Sequence, residues 1–287
     1  MRKGAMLLAG GALAALALGG ALRAQEAEGL GDLLAGTHVH GLALDPSDGE
    51  RLLIATHHGL HALDLATGEV ALLGESRQDF MGFSVARDGG LFASGHPETG
   101  GNSGVLLSQE GGGSWAKLSD GVGGPVDFHQ MTVSAADPAT LYGAYAGGLQ
   151  RSRDGGASWE LAGPAPEGLI DLAASSQDPE QVYAATEARL LMSADGGATW
   201  EAAGPWAAPV SFVEAGPEGA LHAFVLGEGL VRAGEGDPGS WATVSEPMGG
   251  EILLHFATDG TRAFAVTGSG ALLASEDGGA SWRIVGG

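Results

Sequence analysis

Trp159, Trp200, Trp241 and Trp282 stand 41 residues apart, and Trp115 lies 44 residues before the first of them. A period of that length marks a chain built from copies of one supersecondary unit, each able to bury its faces only by stacking on its neighbours. The residues ahead of each Trp repeat as well. Ser152-x-Asp154-x-Gly156-x-Ser158-Trp159 returns as Ser193-x-Asp195-x-Gly197-x-Thr199-Trp200 and as Ser275-x-Asp277-x-Gly279-x-Ser281-Trp282. Ser108-x-Glu110-x-Gly112-x-Ser114-Trp115 carries Glu for Asp. A short carboxylate in such a turn accepts hydrogen bonds from hydroxyls and backbone N–H groups, and glycine reaches positive φ without a steric penalty. These residues read as hairpin fasteners rather than as reactive groups.

Cutting the chain at this period gives six units, at about 37–76, 79–120, 126–163, 168–204, 209–246 and 250–287. Each reads as four short strands. In the first unit these are His38–Leu44, Arg51–Thr56, Leu60–Leu65 and Val70–Leu73, with Asp45-Pro-Ser-Asp-Gly49 as the first turn. Asp137-Pro138 and Asp178-Pro179 repeat that punctuation, as turn chemistry expects. Unit one keeps only Asp64-x-x-x-Gly68 and has no Trp, and unit five has a worn version over Gly234–Trp241. Short strands at regular spacing, with periodic Gly and aromatic residues, predict a β-propeller, whose ring protects its sheet edges. The expected fold is all-β, a six-bladed β-propeller over 37–287, with 25–36 as a flexible lead. The hairpin motif is that of the Asp-box, and the chain resembles the Asp-box (BNR-repeat) β-propellers. That family includes sialidases, xyloglucan-active endoglucanases, sortilin-like receptors and photosystem II assembly factor-like proteins. The resemblance implies the fold and says little of function, because one fold hosts many.

Residues 1–24 read as a secretory signal peptide. Arg2 and Lys3 form a charged start, Ala5 to Leu22 an apolar stretch, and Leu22-Arg23-Ala24 a small-residue cleavage site. Cleavage would leave no stable membrane anchor. There is no Cys in the chain, which excludes disulfides and a lipid anchor on Cys. Without residues 1–24 the chain has 10 basic and 35 acidic residues, a formal charge of −25. Nucleic acid and anionic membranes are recognised by Lys/Arg clusters, so neither is a partner of such a surface. The expected location is periplasmic or secreted.

The nine histidines are uneven: seven fall in the first three units. Stacking the units places His129 and Met81 at the position of His40, near the start of the innermost strand. It also places His96 opposite His58, in the loop between the second and third strands. Both positions belong to one face of a propeller. His38, His40, His58, His96, His129 and Met81 are therefore expected to converge at the channel mouth of units one to three. Met131, two residues beyond His129, should point the same way. Imidazole suits Cu, Zn, Ni and Fe, and thioether shifts the preference toward Cu(I). Copper is the expected ion and zinc the alternative. A lining of hydrogen-bonded histidines, or a site for a small polar ligand, is the other meaning of the same cluster. Asp79 and Asp127 occupy the slot of His38, and with His57 they could orient ligand imidazoles or act as acid and base. Asp171, at the start of unit four, reads as a charge on a wet channel mouth. His61, His222 and His255 read as structural or surface residues.

The resemblance also invites a glycoside hydrolase. Sialidases hold a carboxylate with arginines from inner strands, and no Arg here aligns with that strand. Of the tyrosines, Tyr145 falls in a loop facing the rim with nothing nearby to activate it. Asp79 and Asp127, on adjacent units, could form the carboxylate pair of a glycosidase. Sugar sites favour aromatic platforms, yet only Trp206 is free of the repeat. The expected function is metal binding or delivery by an exported propeller, rather than an enzyme. A glycoside hydrolase, or a periplasmic scaffold or assembly factor with a protein partner, is the alternative.

Overall fold

The computed structural model describes residues 29–237, 239–246 and 250–286. The expected signal peptide lies outside these residues. Among the described residues no helix is long and apolar enough to cross a membrane.

The second strand of the first unit contains the run Leu52-Leu53-Ile54-Ala55, apolar without alternation. Such a strand must be covered on both faces. Leu52 and Ile54 face the last unit, where they meet Phe264 and Val266. Leu53 and Ala55 face the second unit, where they meet Phe80 and Leu91. The period of two along a strand divides the run between two neighbours. The rest of the ring is built this way: among the described residues, six apolar clusters each join two adjacent sheets.

The result is a ring of six four-stranded antiparallel blades in chain order. Blade 1 contains Val39–Asp45, Asp48–Thr56, Gly59–Asp64 and Val70–Leu72. Blade 2 contains Ser84–Val85, Leu91–Ala93, Val105–Ser108 and Ala116–Ser119. A two-stranded ribbon, Asp79–Phe80 against Gly95–His96, extends blade 2 at one end. Blades 3 to 6 open with Gln130–Val133, Leu169–Ala174, Val210–Ala215 and Leu253–Thr258. These first strands lie side by side around the axis, and that of blade 6 returns to that of blade 1. Every blade takes its four strands from one continuous segment.

Side chains stitch the inner strands together. The backbone N–H groups of Val133, Ala174 and Val213 donate to Ser84 Oγ, Thr132 Oγ1 and Asp171 Oδ2 of the preceding blades, at 3.0–3.1 Å. Phe212 stacks on Phe256 at 5.2 Å. His255 Nε2 donates to Val39 O at 2.9 Å and joins blade 6 to blade 1. His255 is thus a ring-closing residue, in keeping with its structural reading. Asp171 is an inter-blade staple in the channel wall, and desolvation there pushes its carboxyl up to about 7.

The repeated hairpin behaves as its chemistry requires. Asp154 accepts from Ser152 Oγ at 2.8 Å, Ser158 N at 2.8 Å and Ser158 Oγ at 2.5 Å. Asp195 and Asp277 repeat the pattern. Glu110, one methylene longer, takes Ser114 Oγ at 3.0 Å. The Trp reaches across to the neighbouring blade: Trp159 Nε1 donates to Ser119 Oγ, and Trp241 Nε1 to Ala203 O. Trp206 is not free, because it packs edge-on against Trp241 at 5.3 Å. The lead is not wholly irregular either. Leu30–Gly36 forms a short helix whose Leu30 and Leu33 are buried between blades 1 and 6.

Candidate metal centre

Backbone geometry places each polar group at the channel mouth. The first strand of blade 1 bulges between Val39 and Gly41, which puts His40 at the bulge. A bulge re-aims the side chain it carries. The next two strands turn tightly, with Thr56 paired to Gly59 and Thr56 Oγ1 bonded to Gly59 O at 3.0 Å. Of the two residues in that turn, His57 faces inward and His58 is exposed. In blade 2, Asp79 and His96 are cross-strand partners. Gly95 makes that pairing fit, since a Cβ there would lie 2.2 Å from Asp79 O, and its φ is +127°. Asp127 is fixed through its neighbours. Val126 O accepts from Gly104 N, Phe128 N donates to Ser94 Oγ, and Phe128 O accepts from Gly82 N.

The outcome is a continuous array of imidazoles and carboxylates across three blades. The His38 ring centroid is 5.5 Å from that of His57, and the His40 centroid 4.3 Å from it. His40 Nε2 is 3.1 Å from His57 Nε2. His57 Nδ1 meets Asp79 Oδ2 at 2.9 Å. His96 follows, and then Asp127, whose Oδ2 meets His129 Nε2 at 2.8 Å. One donor atom from each of His40, His57 and Asp79 lies within 4.8 Å of the others. Burial, and then the charge of His57, hold His40 down at about 4, so its imidazole is neutral at pH 7. The hydrogen bond to Asp127 raises His129.

Two carboxylate oxygens of this array are buried with no hydrogen-bond partner among the described residues, Asp79 Oδ1 and Asp127 Oδ1. His40 Nε2 lies 3.9 Å from the first, too far for a hydrogen bond. Leaving a buried acceptor unpaired costs about 1–3 kcal/mol, more for a charged group. These residues fit a cation: the imidazole nitrogens of His40 and His57 converge with a carboxylate oxygen of Asp79, and the backbone around both Asp residues is hydrogen-bonded in place.

The structure brings together His38, His40, His96 and His129 from the expected ligands, and draws in Asp79, Asp127 and His57 as full members. His58 only borders the adjoining groove of about 780 Å³, beside His38, His40 and His57. Met81 is buried, 7 % exposed, because the first strand of blade 2 is interrupted and this residue turns into the packed interior. Met131 is also buried and lines the channel below the rim. Tyr145 OH accepts a hydrogen bond from Asn102 at 3.0 Å. A second carboxylate, unseen in the sequence, joins Asp171 in the channel. Glu214 lies there near Asp171, and desolvation, reinforced by the Asp171 charge, pushes it up to about 8.

Fold and rim together define a six-bladed β-propeller with a histidine–aspartate mouth. No family model matches the chain, and no curated protein matches its sequence. Solved structures match its fold. The GH74 enzyme of Niastella koreensis superposes with a TM-score of 0.59 at 14 % identity, over 86 % of this chain and 45 % of that one. The GH74 xyloglucanase of Xanthomonas campestris gives 0.57 at 18 % identity, over 86 % and 45 %. YCF48 bound to a D1 peptide gives 0.55 at 18 % identity, over 87 % and 82 %. The chain spans less than half the length of the two hydrolases and most of YCF48. At these identities the likeness is one of fold.

Proposed function

We propose that this chain binds a transition-metal ion at the channel mouth, through His40, His57 and Asp79, as a metal-binding or metal-delivering protein of an exported compartment. The observation that supports it is the buried, unpaired Asp79 Oδ1 beside two imidazoles. For nitrogen and oxygen donors Cu²⁺ stands highest in the divalent series, so copper is the proposed ion and zinc the alternative. With Met81 turned into the core, the donor set favours Cu(II) over Cu(I). Three protein ligands leave an open position for exchange with a partner.

A glycosidase reading is weaker. Its two carboxylates must flank the scissile bond, and here the His96 imidazole stands between Asp79 and Asp127. A protein partner is the second reading. The groove beside the array carries the exposed Leu254, and the fold neighbour YCF48 holds a peptide. Delivery would combine the two.

The test is calorimetric titration of tag-free, metal-free protein with Cu(II), Cu(I) and Zn(II). Cu(II) should bind to the wild type. His40→Ala and Asp79→Asn should each weaken it about tenfold or more, and His222→Ala should leave it unchanged. Wild type that binds no metal, or equal binding by all three variants, would overturn the proposal. So would turnover of xyloglucan by the metal-free protein.

A further inference from the structure

We propose that the array is a two-metal centre, with the His96 imidazole bridging an ion held by His40, His57 and Asp79 to a second ion held by Asp127 and His129. The inference rests on the metal reading above and adds a site to it. His96 turns a different ring nitrogen to each carboxylate. Its Nδ1 is 3.6 Å from Asp79 Oδ2, and its Nε2 is 3.3 Å from Asp127 Oδ2. Either nitrogen of an imidazole can ligate a metal.

The two halves share a pattern, although among the described residues only His40, His57 and Asp79 have donor atoms already within 4.8 Å of one another. Each has one carboxylate with one oxygen against an imidazole, His57 at 2.9 Å from Asp79 and His129 at 2.8 Å from Asp127. Each also has one buried carboxylate oxygen with no partner among the described residues. One ion at the first site leaves Asp127 Oδ1 unpaired, and a second ion satisfies it. The Asp127 side chain is only 9 % exposed, whereas those of His96 and His129 are 42 % and 51 % exposed. The carboxylate is therefore the fixed point, and both rings have room to swing onto an ion without disturbing the core.

The proton balance is simple. A neutral imidazole carries one N–H, and an imidazole bound through both nitrogens carries none. The bridge forms as His96 releases that proton to solvent. A bridging imidazolate couples the unpaired electrons of two Cu(II) ions, which makes the arrangement visible.

The test uses the full chain without a tag, with Cu(II) alone as the probe, and follows retained metal after desalting together with electron paramagnetic resonance. The wild type should retain two equivalents. The integrated Cu(II) signal should rise to the first equivalent and fall on the second. His96→Gln and His129→Ala should each retain one equivalent with a full, uncoupled signal. A wild type that retains one equivalent, or two with additive signals, would overturn the bridge while leaving the first site standing. Retention of none would sink both. His129 lies at the exposed rim, so His129→Ala tests the second site even where His96→Gln fails to fold.

Discussion

Asp195 and Asp277 sit at hairpin tips, and the hydrogen bonds they accept hold both carboxyls down at about 2, the hydroxyls of Thr199 and Ser281 contributing most. Their folded-state values lie below those of the unfolded chain. The stabilisation is therefore complete above the ordinary carboxylate range and is lost as pH falls from about 4 through about 2. Thermal melts across that window should fall more steeply for the wild type than for the Asp195→Asn/Asp277→Asn double variant. Parallel profiles would show that these bonds do not support the fold. At this scale the sequence was partly readable. His40, His129, Asp79 and Asp127 could be placed because a repeat turns sequence positions into spatial ones. The sequence pointed to His58 as the ligand and to His57 as its support, whereas His57 joins the array and His58 is exposed: a two-residue turn sends adjacent side chains in different directions, and only its backbone decides which goes inward. Met81 was misplaced because an interruption of the strand in blade 2 breaks the alternation on which the alignment depends. Glu214 has no repeat partner that would have marked it.

Elements in this molecule are held by what lies on both sides of them. The helix Leu30–Gly36 shows this most plainly. Seven residues are too few to be stable alone, and its first turn lacks a side-chain cap. It forms because Leu30 and Leu33 bury themselves at the seam of blades 1 and 6. The sequence places this segment outside the repeat and gives no period long enough to reveal a helix, so its order was invisible there. Leu33 is 3 % exposed, and Leu33→Ala should cost about 2–5 kcal/mol, measured by urea unfolding. A loss below about 0.5 kcal/mol, the scale of surface substitutions, would mean that the helix rests on the ring without supporting it.

At the scale of the whole molecule, six blades were legible because Trp spacing and hairpin motif recur in units that retain little else in common. What the spacing could not reveal was how the circle joins. Many rings could close by sharing strands between first and last units, whereas here each blade is complete in itself. The last meets the first through apolar packing and the bond from His255 to Val39. The two ends of the described chain also meet, since a Cβ on Gly286 would lie 3.3 Å from Leu30 Cδ2. A permuted chain, with residues 286 and 29 joined by a short Gly/Ser linker and new ends opened in the exposed loop at Val122–Gly123, should fold to the same ring. Circular dichroism and urea unfolding would test this, and a permutant that stays unfolded would show that chain order matters after all. If it folds, the blade is a unit of inheritance as well as of architecture. A gene could gain, lose or reorder such units whole, while the mouth of blades 1 to 3 diverged toward its own chemistry and the other three kept the circle shut.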